Sequence, residues 1–414
     1  MIIDAKKYNG KCSCGKSHAM ITELAVVEEG VLNKFDDYKK EFFPLVKHIT
    51  AIYDENTYKA VSDRRPKVDC EIILCPENLH ADEKACAIVL DKLKDETELL
   101  VAVGSGTVHD VTRYCANQKG LPFVACPTAA SVDGFCSSVA AMTWEGFKKT
   151  MPGVAPKIVL ADVDIIANAP MRLTVSGFGD MVGKFIALSD WKIANAVTGE
   201  FLCEEIYSLM MKATITALDC ADGLAVRDKK AIEQLTGGLI LSGLAMQMMG
   251  NSRPASGAEH HISHIIEMQP AGLGVSSTAL HGEKVGVATL LLLEEYHNIA
   301  NGNIKWQDYK QLPKEEVEKV FGSRLVDSVM EENANDCALN IKASDVINNM
   351  DKICQIIANI PEKDKLLAIY EKLGAMKSLA DLGVDEKLKE KLFFYSPTVR
   401  NRLTLMRLRQ SAKI

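Results

Sequence analysis

Leu99-Leu-Val-Ala-Val103-Gly104-Ser-Gly106-Thr-Val-His-Asp110 decides how the first part of this chain folds. Five apolar residues run without a polar interruption, and a glycine turn follows at once. Such a run, bounded by a turn signal, reads as a strand buried on both faces. Val108 to Asn117 then carries helical spacing. The same alternation extends outward on both sides. Ile49–Tyr53 and Glu71–Cys75 read as earlier strands, Pro122–Cys126 and Lys157–Ala161 as later ones, and Ala81 to Lys94 as a helix between them. Strands alternating with helices predict a parallel, Rossmann-like α/β sheet covered on both faces.

After about residue 170 the period changes. Met171–Ala196, Glu204–Ala225, Lys229–Gly250, Glu259–Met268 and Glu283–Ile299 all carry helical spacing, and β-branched runs become rare. The expected organisation is an α/β domain over residues 1–168 and an all-α domain over 169–414. With 414 residues, two domains are expected.

The composition narrows the class. Apolar residues make up 47% and charged residues 25%, the balance of a globular protein. No apolar run is long enough to span a bilayer; Leu239–Met249 is the richest, and Gly, Ser and Gln interrupt it. Met1-Ile-Ile-Asp-Ala-Lys-Lys lacks the layout of a signal peptide, so a cytoplasmic protein is expected, with no membrane partner. A net charge of −7 argues against nucleic acid as partner. Twelve dispersed cysteines suit small core residues and reduced thiols rather than a disulfide framework.

Three stretches carry polar groups where α/β sheets bind ligands, at the carboxyl ends of strands. Gly104-Ser105-Gly106 opens a helix whose first N–H groups face an anion, although two glycines also serve ordinary tight turns. Asp54 closes the first predicted strand. It can accept from an adenosine ribose, cap the helix that follows, or do both. Pro127-Thr-Ala-Ala-Ser131-Val-Asp133-Gly-Phe-Cys-Ser137 is a small-polar loop, suited to a ligand or to turn chemistry alone.

A different chemistry collects later. Four of the nine histidines fall between positions 260 and 281. His260 and His264 are one helical turn apart and share a face, and His281 returns beside a glycine. Imidazoles gathered in this way suit a divalent metal. A carboxylate such as Asp180, in Ser176-Gly-Phe-Gly-Asp180-Met-Val-Gly-Lys184, supplies the missing hard ligand, or else caps a helix start. One carboxylate with two imidazoles leaves a coordination position open, and zinc, nickel or iron all suit it. Cys12-Ser-Cys14-Gly-Lys-Ser-His18 is a separate soft-donor cluster, one ligand short of a closed structural zinc site. Its other reading is a hairpin turn with reduced thiols.

Taken together, Asp54-Glu-Asn-Thr57, Gly104-Ser-Gly-Thr107, Pro127 to Gly134, Gly177-Phe-Gly-Asp180, Arg253-Pro-Ala-Ser-Gly-Ala-Glu-His260 and Leu280-His-Gly-Glu-Lys-Val-Gly286 occur in one order. In that combination the chain resembles the sn-glycerol-1-phosphate dehydrogenases, particularly their bacterial branch. These belong to the superfamily of iron-containing alcohol dehydrogenases, glycerol dehydrogenases and dehydroquinate synthases. The resemblance implies a dehydroquinate synthase-like fold and a homodimer. It implies Asp180, His260 and His281 as metal ligands, with Asp133 and His264 in contact with substrate. It places Gly104, Ser105, Gly106, Thr107, Val108, Thr128, Ala129, Ala130, Ser131 and Ser137 on a nicotinamide dinucleotide. There are two departures. The turn reads Gly-Ser-Gly where the family often has three glycines, and the stretch from His264 to His281 is longer than in some archaeal members.

The expected activity is metal-dependent reduction of dihydroxyacetone phosphate by NADH or NADPH, giving sn-glycerol 1-phosphate. His264 is expected to assist proton delivery. A phosphorylated triose needs local positive charge in an acidic protein. Lys184, one turn after Asp180, and Arg253, seven residues before His260, are the candidates; structural pairing is the alternative for each. Rival readings are a polyol or alcohol dehydrogenase on the same scaffold, a lyase of the dehydroquinate synthase type, and a non-catalytic metal-binding protein.

Overall fold

The computed structural model describes residues 1–144 and 147–413. It divides into two compact units: Met1–Met181 with Ile215–Asn251, and Val182–Thr214 with Ser252–Ile414. Residues 169–181 and 215–251 thus group with the sheet, beyond the expected division at 168.

The first unit is built on a seven-stranded sheet. Its strands are β1 (Ile2–Asp4), β2 (Leu24–Glu28), β3 (Ile49–Asp54), β4 (Cys70–Leu74), β5 (Leu99–Gly104), β6 (Phe123–Pro127) and β7 (Ile158–Asp162). Their spatial order is β1-β2-β7-β6-β5-β3-β4. Only β1 pairs antiparallel; every other neighbour is parallel. All residues of β3, β5, β6 and β7 are buried, as an apolar run without alternation requires when helices cover both faces. One core face joins Val26, Val101, Val103, Val124 and Leu160 with Phe35 and Tyr53. Each such aliphatic side chain contributes roughly 1.5–3 kcal/mol on burial.

The expected alternation holds from Ile49 onward, but β1 and β2 were not anticipated. Both lie before the first expected strand. A three-residue strand carries no readable period, and Ile2–Asp4 is placed by its register against Leu24–Val26. A hairpin of Val139–Trp144 with Phe147–Pro152 was also missed. Among the helices are α1 (Glu55–Val61), α2 (Glu83–Lys92), α3 (Gly106–Lys119), α4 (Met171–Thr198), α5 (Glu204–Asp219), α6 (Lys229–Met249), α7 (Ala258–Met268) and α8 (His281–Asn301). The stretch read as one helix over 204–225 breaks at Cys220 into α5 and a short helix, Ala221–Ala225.

The second unit is helical. The Val182–Thr198 part of α4 lies against α7 and α8, and Gly183 permits it. A Cβ there would stand 2.7 Å from Val285 Cγ1 and 3.2 Å from Glu259 Cγ. No helix among the described residues is long and apolar enough to cross a membrane.

Candidate active site

Parallel strands bring their carboxyl ends to one edge. Gly104 pairs in register with Pro127, and the Thr128 N–H donates to the Gly104 carbonyl at 3.0 Å, tying the glycine turn to the loop after β6. A Cβ on Gly104 would stand 2.6 Å from Val108 Cβ. Glycine is therefore what lets α3 start directly on the strand end. Ser105 occupies the N-cap of α3 but its hydroxyl makes no capping bond. The first turn, with Gly106, Thr107 and Val108, keeps its N–H groups for an anion. His109, in the same turn, donates from Nδ1 to the Ser105 carbonyl at 2.9 Å; burial lowers its pKa to about 3, so it stays neutral.

The loop after β6 is held close to α4. A Cβ on Gly177 would fall 2.0 Å from the Ala130 carbonyl oxygen, and the Ser176 hydroxyl donates to the Ser131 carbonyl at 3.2 Å. Ala129 and Ala130 are buried. The Ser131 hydroxyl is buried without a hydrogen-bond partner among the described residues. The Ser137 hydroxyl donates to the Val139 carbonyl at 2.8 Å and accepts from its N–H at 3.1 Å, so it closes its own turn. Asp54 serves as the cap of α1: Oδ1 accepts from the Asn56 and Thr57 N–H groups at 2.8 and 2.9 Å.

Asp133 and Asp180 are joined through the backbone. The Asp133 N–H donates to Asp180 Oδ2 at 2.9 Å, while Asp133 Oδ2 accepts from the Ser242 hydroxyl at 2.7 Å. Ser242, on α6, was not singled out by sequence. A lone serine in a helix carries no signal until the fold sets it opposite a carboxylate. Asp180 is fully buried and lies well inside α4, so the helix-cap alternative is set aside. It stands one turn before Gly183 on the same face of one continuous helix.

In the second unit three histidine rings cluster. His260 and His281 have ring centroids 5.3 Å apart, His260 and His264 5.9 Å, His264 and His281 6.0 Å. Candidate ligand nitrogens of His260 and His281 lie within 4.8 Å of each other. Each ring is fixed by a carboxylate at Nδ1: His260 by Glu259 Oε1 at 2.6 Å, His281 by Glu267 Oε1 at 3.0 Å. Where the carboxylate is ionised it only accepts, and Nδ1 then carries the proton and Nε2 the lone pair. That is the tautomer a metal ligand needs, with the outer carboxylate that commonly accompanies it. Sequence reading named neither glutamate. Their signal was available: Glu259 directly precedes His260, and Glu267 lies one turn beyond His264.

Glu259 is fully buried, and burial raises its pKa to about 7; the Gly257 N–H and the charge of Lys184 oppose that rise. Burial, followed by the charge of Glu267 acting the other way and by His260, holds His264 well below the usual histidine value. His261 points elsewhere. It is fully buried and neutral, and neither ring nitrogen has a partner among the described residues, which supports the choice of His260 over it.

The two candidate phosphate contacts fare differently. Lys184 is fully buried, close enough to Glu259 to act on its charge. Arg253 has partners within the second unit. Its Nε donates to Glu200 Oε1 at 2.7 Å and its Nη2 to the carbonyls of Leu403 and Asp190 at 2.9 and 3.1 Å. The guanidinium is thereby committed to Glu200 and to the backbone, the structural pairing that had been its alternative role.

Comparisons with known proteins bear on the family and the fold. Residues 26–170 match the family model described as iron-containing alcohol dehydrogenase. A glycerol-1-phosphate dehydrogenase (NAD(P)+) of Halalkalibacterium halodurans is 32% identical, over 98% of this chain and 97% of that protein. One of Bacillus subtilis is 38% identical over 61% of this chain and 67% of its own length. Among solved structures, a putative alcohol dehydrogenase from Ralstonia eutropha superposes with a TM-score of 0.61 at 15% identity, covering 95% of both chains; it supports the fold alone. With such a relative matched over almost its whole length, this chain belongs to the glycerol-1-phosphate dehydrogenase family.

Proposed function

We propose that the chain, an NAD(P)-dependent oxidoreductase by family, reduces dihydroxyacetone phosphate to sn-glycerol 1-phosphate, reversibly and with a divalent metal. The observation that carries this is the pair His260 and His281, each held by a carboxylate at Nδ1 and each offering a ligand nitrogen within 4.8 Å of the other's. In this reading Asp180 is the third, anionic ligand. A metal so held lends Lewis acidity to a substrate oxygen, and a nicotinamide supplies the hydride.

The residues of the chain do the rest. The open N-terminus of α3 at Gly104–Val108 binds the dinucleotide pyrophosphate, and the Thr128–Ser131 loop, with Ser137 beyond it, borders the nicotinamide half. Asp54 reaches the adenosine ribose with the carboxylate that also caps α1. Its negative charge there favours NAD(H) over NADP(H), since a 2′-phosphate would be repelled. Asp133, oriented by Ser242, positions the substrate hydroxyls. His264 assists delivery of a solvent-derived proton to the reduced oxygen, its imidazole taking one up as it passes one on, directly or through water. Lys184 supplies positive charge toward the phosphate. The reading includes a homodimer, as the resemblance implies, and a cytoplasmic location.

The test is oxidation of NADH and NADPH with dihydroxyacetone phosphate after reconstitution with zinc, nickel or iron, with the configuration of the product determined. Turnover with unphosphorylated ketones or glycerol alone, or formation of the enantiomeric phosphate, would overturn the proposal.

A further inference from the structure

The N-terminal cluster is not used by this chemistry, yet its geometry is that of a ligand set. The ribbon pairs Gly10–Lys11 with Ser17–His18. Its turn is closed by the Cys12 N–H donating to the Lys16 carbonyl at 2.9 Å and the Gly15 N–H to the Cys12 carbonyl at 3.0 Å. Gly15 takes φ +85°, which a side chain would resist. The turn folds Cys12, Cys14 and His18 together, so that their sulfur and nitrogen donors lie within 4.8 Å of one another. Neither cysteine is in a disulfide.

Two details go beyond proximity. His18 is buried, and its Nδ1 lies 2.7 Å from the Met248 carbonyl at the end of α6. A carbonyl only accepts, so Nδ1 carries the proton and Nε2 turns its lone pair toward the thiols. The Cys14 Sγ to His18 Nε2 distance is 3.6 Å. Zinc bonds of about 2.3 Å to sulfur and about 2.0–2.1 Å to nitrogen, at a tetrahedral angle, set these two atoms roughly 3.5–3.6 Å apart.

We propose that Cys12, Cys14 and His18 bind a second divalent metal of the thiolate-preferring class, zinc being the type, with a structural role. A two-stranded ribbon of such short strands is marginal in water. A metal bound to both of its arms cross-links it. His18 then carries that cross-link to α6, the helix whose Ser242 orients Asp133. The segment leaving the ribbon is fastened to the same helix end: Gln247 Oε1 accepts from the Ile21 and Thr22 N–H groups at 3.1 and 3.3 Å. Two of the donors here are soft thiolates, whereas the histidine cluster offers borderline imidazoles, so the two positions differ in metal preference.

The experiment compares the zinc-saturated full-length protein with its Cys12→Ser/Cys14→Ser variant by metal analysis, and titrates both with cobalt(II). The wild type should hold about two equivalents, the variant about one, with turnover retained within about threefold and a lower unfolding temperature. Cobalt should give an intense thiolate-to-metal charge-transfer band in the wild type, and none in the variant. If the variant does not fold, the cobalt spectrum of the wild type, read with sulfur counting by X-ray absorption on the zinc form, decides alone. No thiolate band and no sulfur around zinc would overturn the proposal, as would equal stoichiometry in the two proteins.

Discussion

Glu259 Oε1 stands 2.6 Å from Nδ1 of His260, its neighbour in the chain, and also accepts the Gly257 N–H at 2.9 Å. One carboxylate therefore fixes both the entry to α7 and the tautomer of the first imidazole on it. Glu259→Gln keeps the shape and removes the charge. Metal affinity should fall about 10–100-fold, the usual cost of losing an outer-shell partner. Activity should return at high metal concentration. Competition against a fluorescent chelator measures it; unchanged affinity would detach Glu259 from the metal.

His260, His264 and His281 are predicted to separate by function. His260→Ala and His281→Ala should lose tight metal binding and most turnover. His264→Ala should keep its metal and lose turnover or substrate affinity. Metal analysis beside steady-state rates distinguishes the three. Loss of metal in His264→Ala as complete as in His260→Ala would move His264 into the ligand set.

Asp190 is fully buried, accepting from the Ala258 and Leu405 N–H groups and from the Tyr296 hydroxyl, and burial raises its pKa from 3.8 to about 7. The folded state thus holds a proton that the unfolded chain releases. The resulting stability is full below the unfolded value and fades as pH rises from about 4 to about 7. Glu259, raised likewise, shares this surrounding, so the pair titrates together. Asp190→Asn should therefore flatten the decline of stability across that window, whatever it does to absolute stability. Urea unfolding at a series of pH values checks this, and identical slopes in both proteins would refute it.

Gly177 lets α4 approach the loop after β6 as no other residue can. Because a Cβ would lie 2.0 Å from the Ala130 oxygen, Gly177→Ala must displace backbone rather than a side chain. We expect a loss of about 1–3 kcal/mol in stability, as for overpacking elsewhere, and weaker binding of the dinucleotide. Thermal unfolding with and without NADH measures both. A variant with unaltered stability and cofactor affinity would contradict the close approach.

These cases show what the sequence disclosed. Buried parallel strands announce themselves as apolar runs, so β3, β5, β6 and β7 were legible; β4, at the sheet edge and only partly buried, was still read from its Ile-Ile-Leu run. So was the histidine step from 260 to 264, which follows from the helical repeat. Ile2–Asp4 was not, because three residues carry no period and its pairing is decided by contact with Leu24–Val26. Ser242 was missed for a related reason: its meaning lies in what faces it across the fold. For Arg253, seven residues of separation from a histidine could not disclose Glu200, which the fold brings to 2.7 Å.

The phosphate provides the last prediction. Arg253, held by Glu200 and two backbone carbonyls, is a structural group. Arg253→Ala should cost on the order of 2–4 kcal/mol in stability, since it strands a partly buried carboxylate and two carbonyls. It should change kinetics with dihydroxyacetone phosphate and with unphosphorylated dihydroxyacetone alike. Lys184→Met should instead raise the Michaelis constant for the phosphorylated substrate by one to two orders of magnitude, corresponding to the roughly 1.5–3 kcal/mol of a hydrogen bond to a charged group. The unphosphorylated ketone should be affected much less. Buried beside Glu259, Lys184 has a second role open to it, which the same pair of substrates distinguishes: a lysine that only neutralises Glu259 would, when replaced, impair both ketones equally.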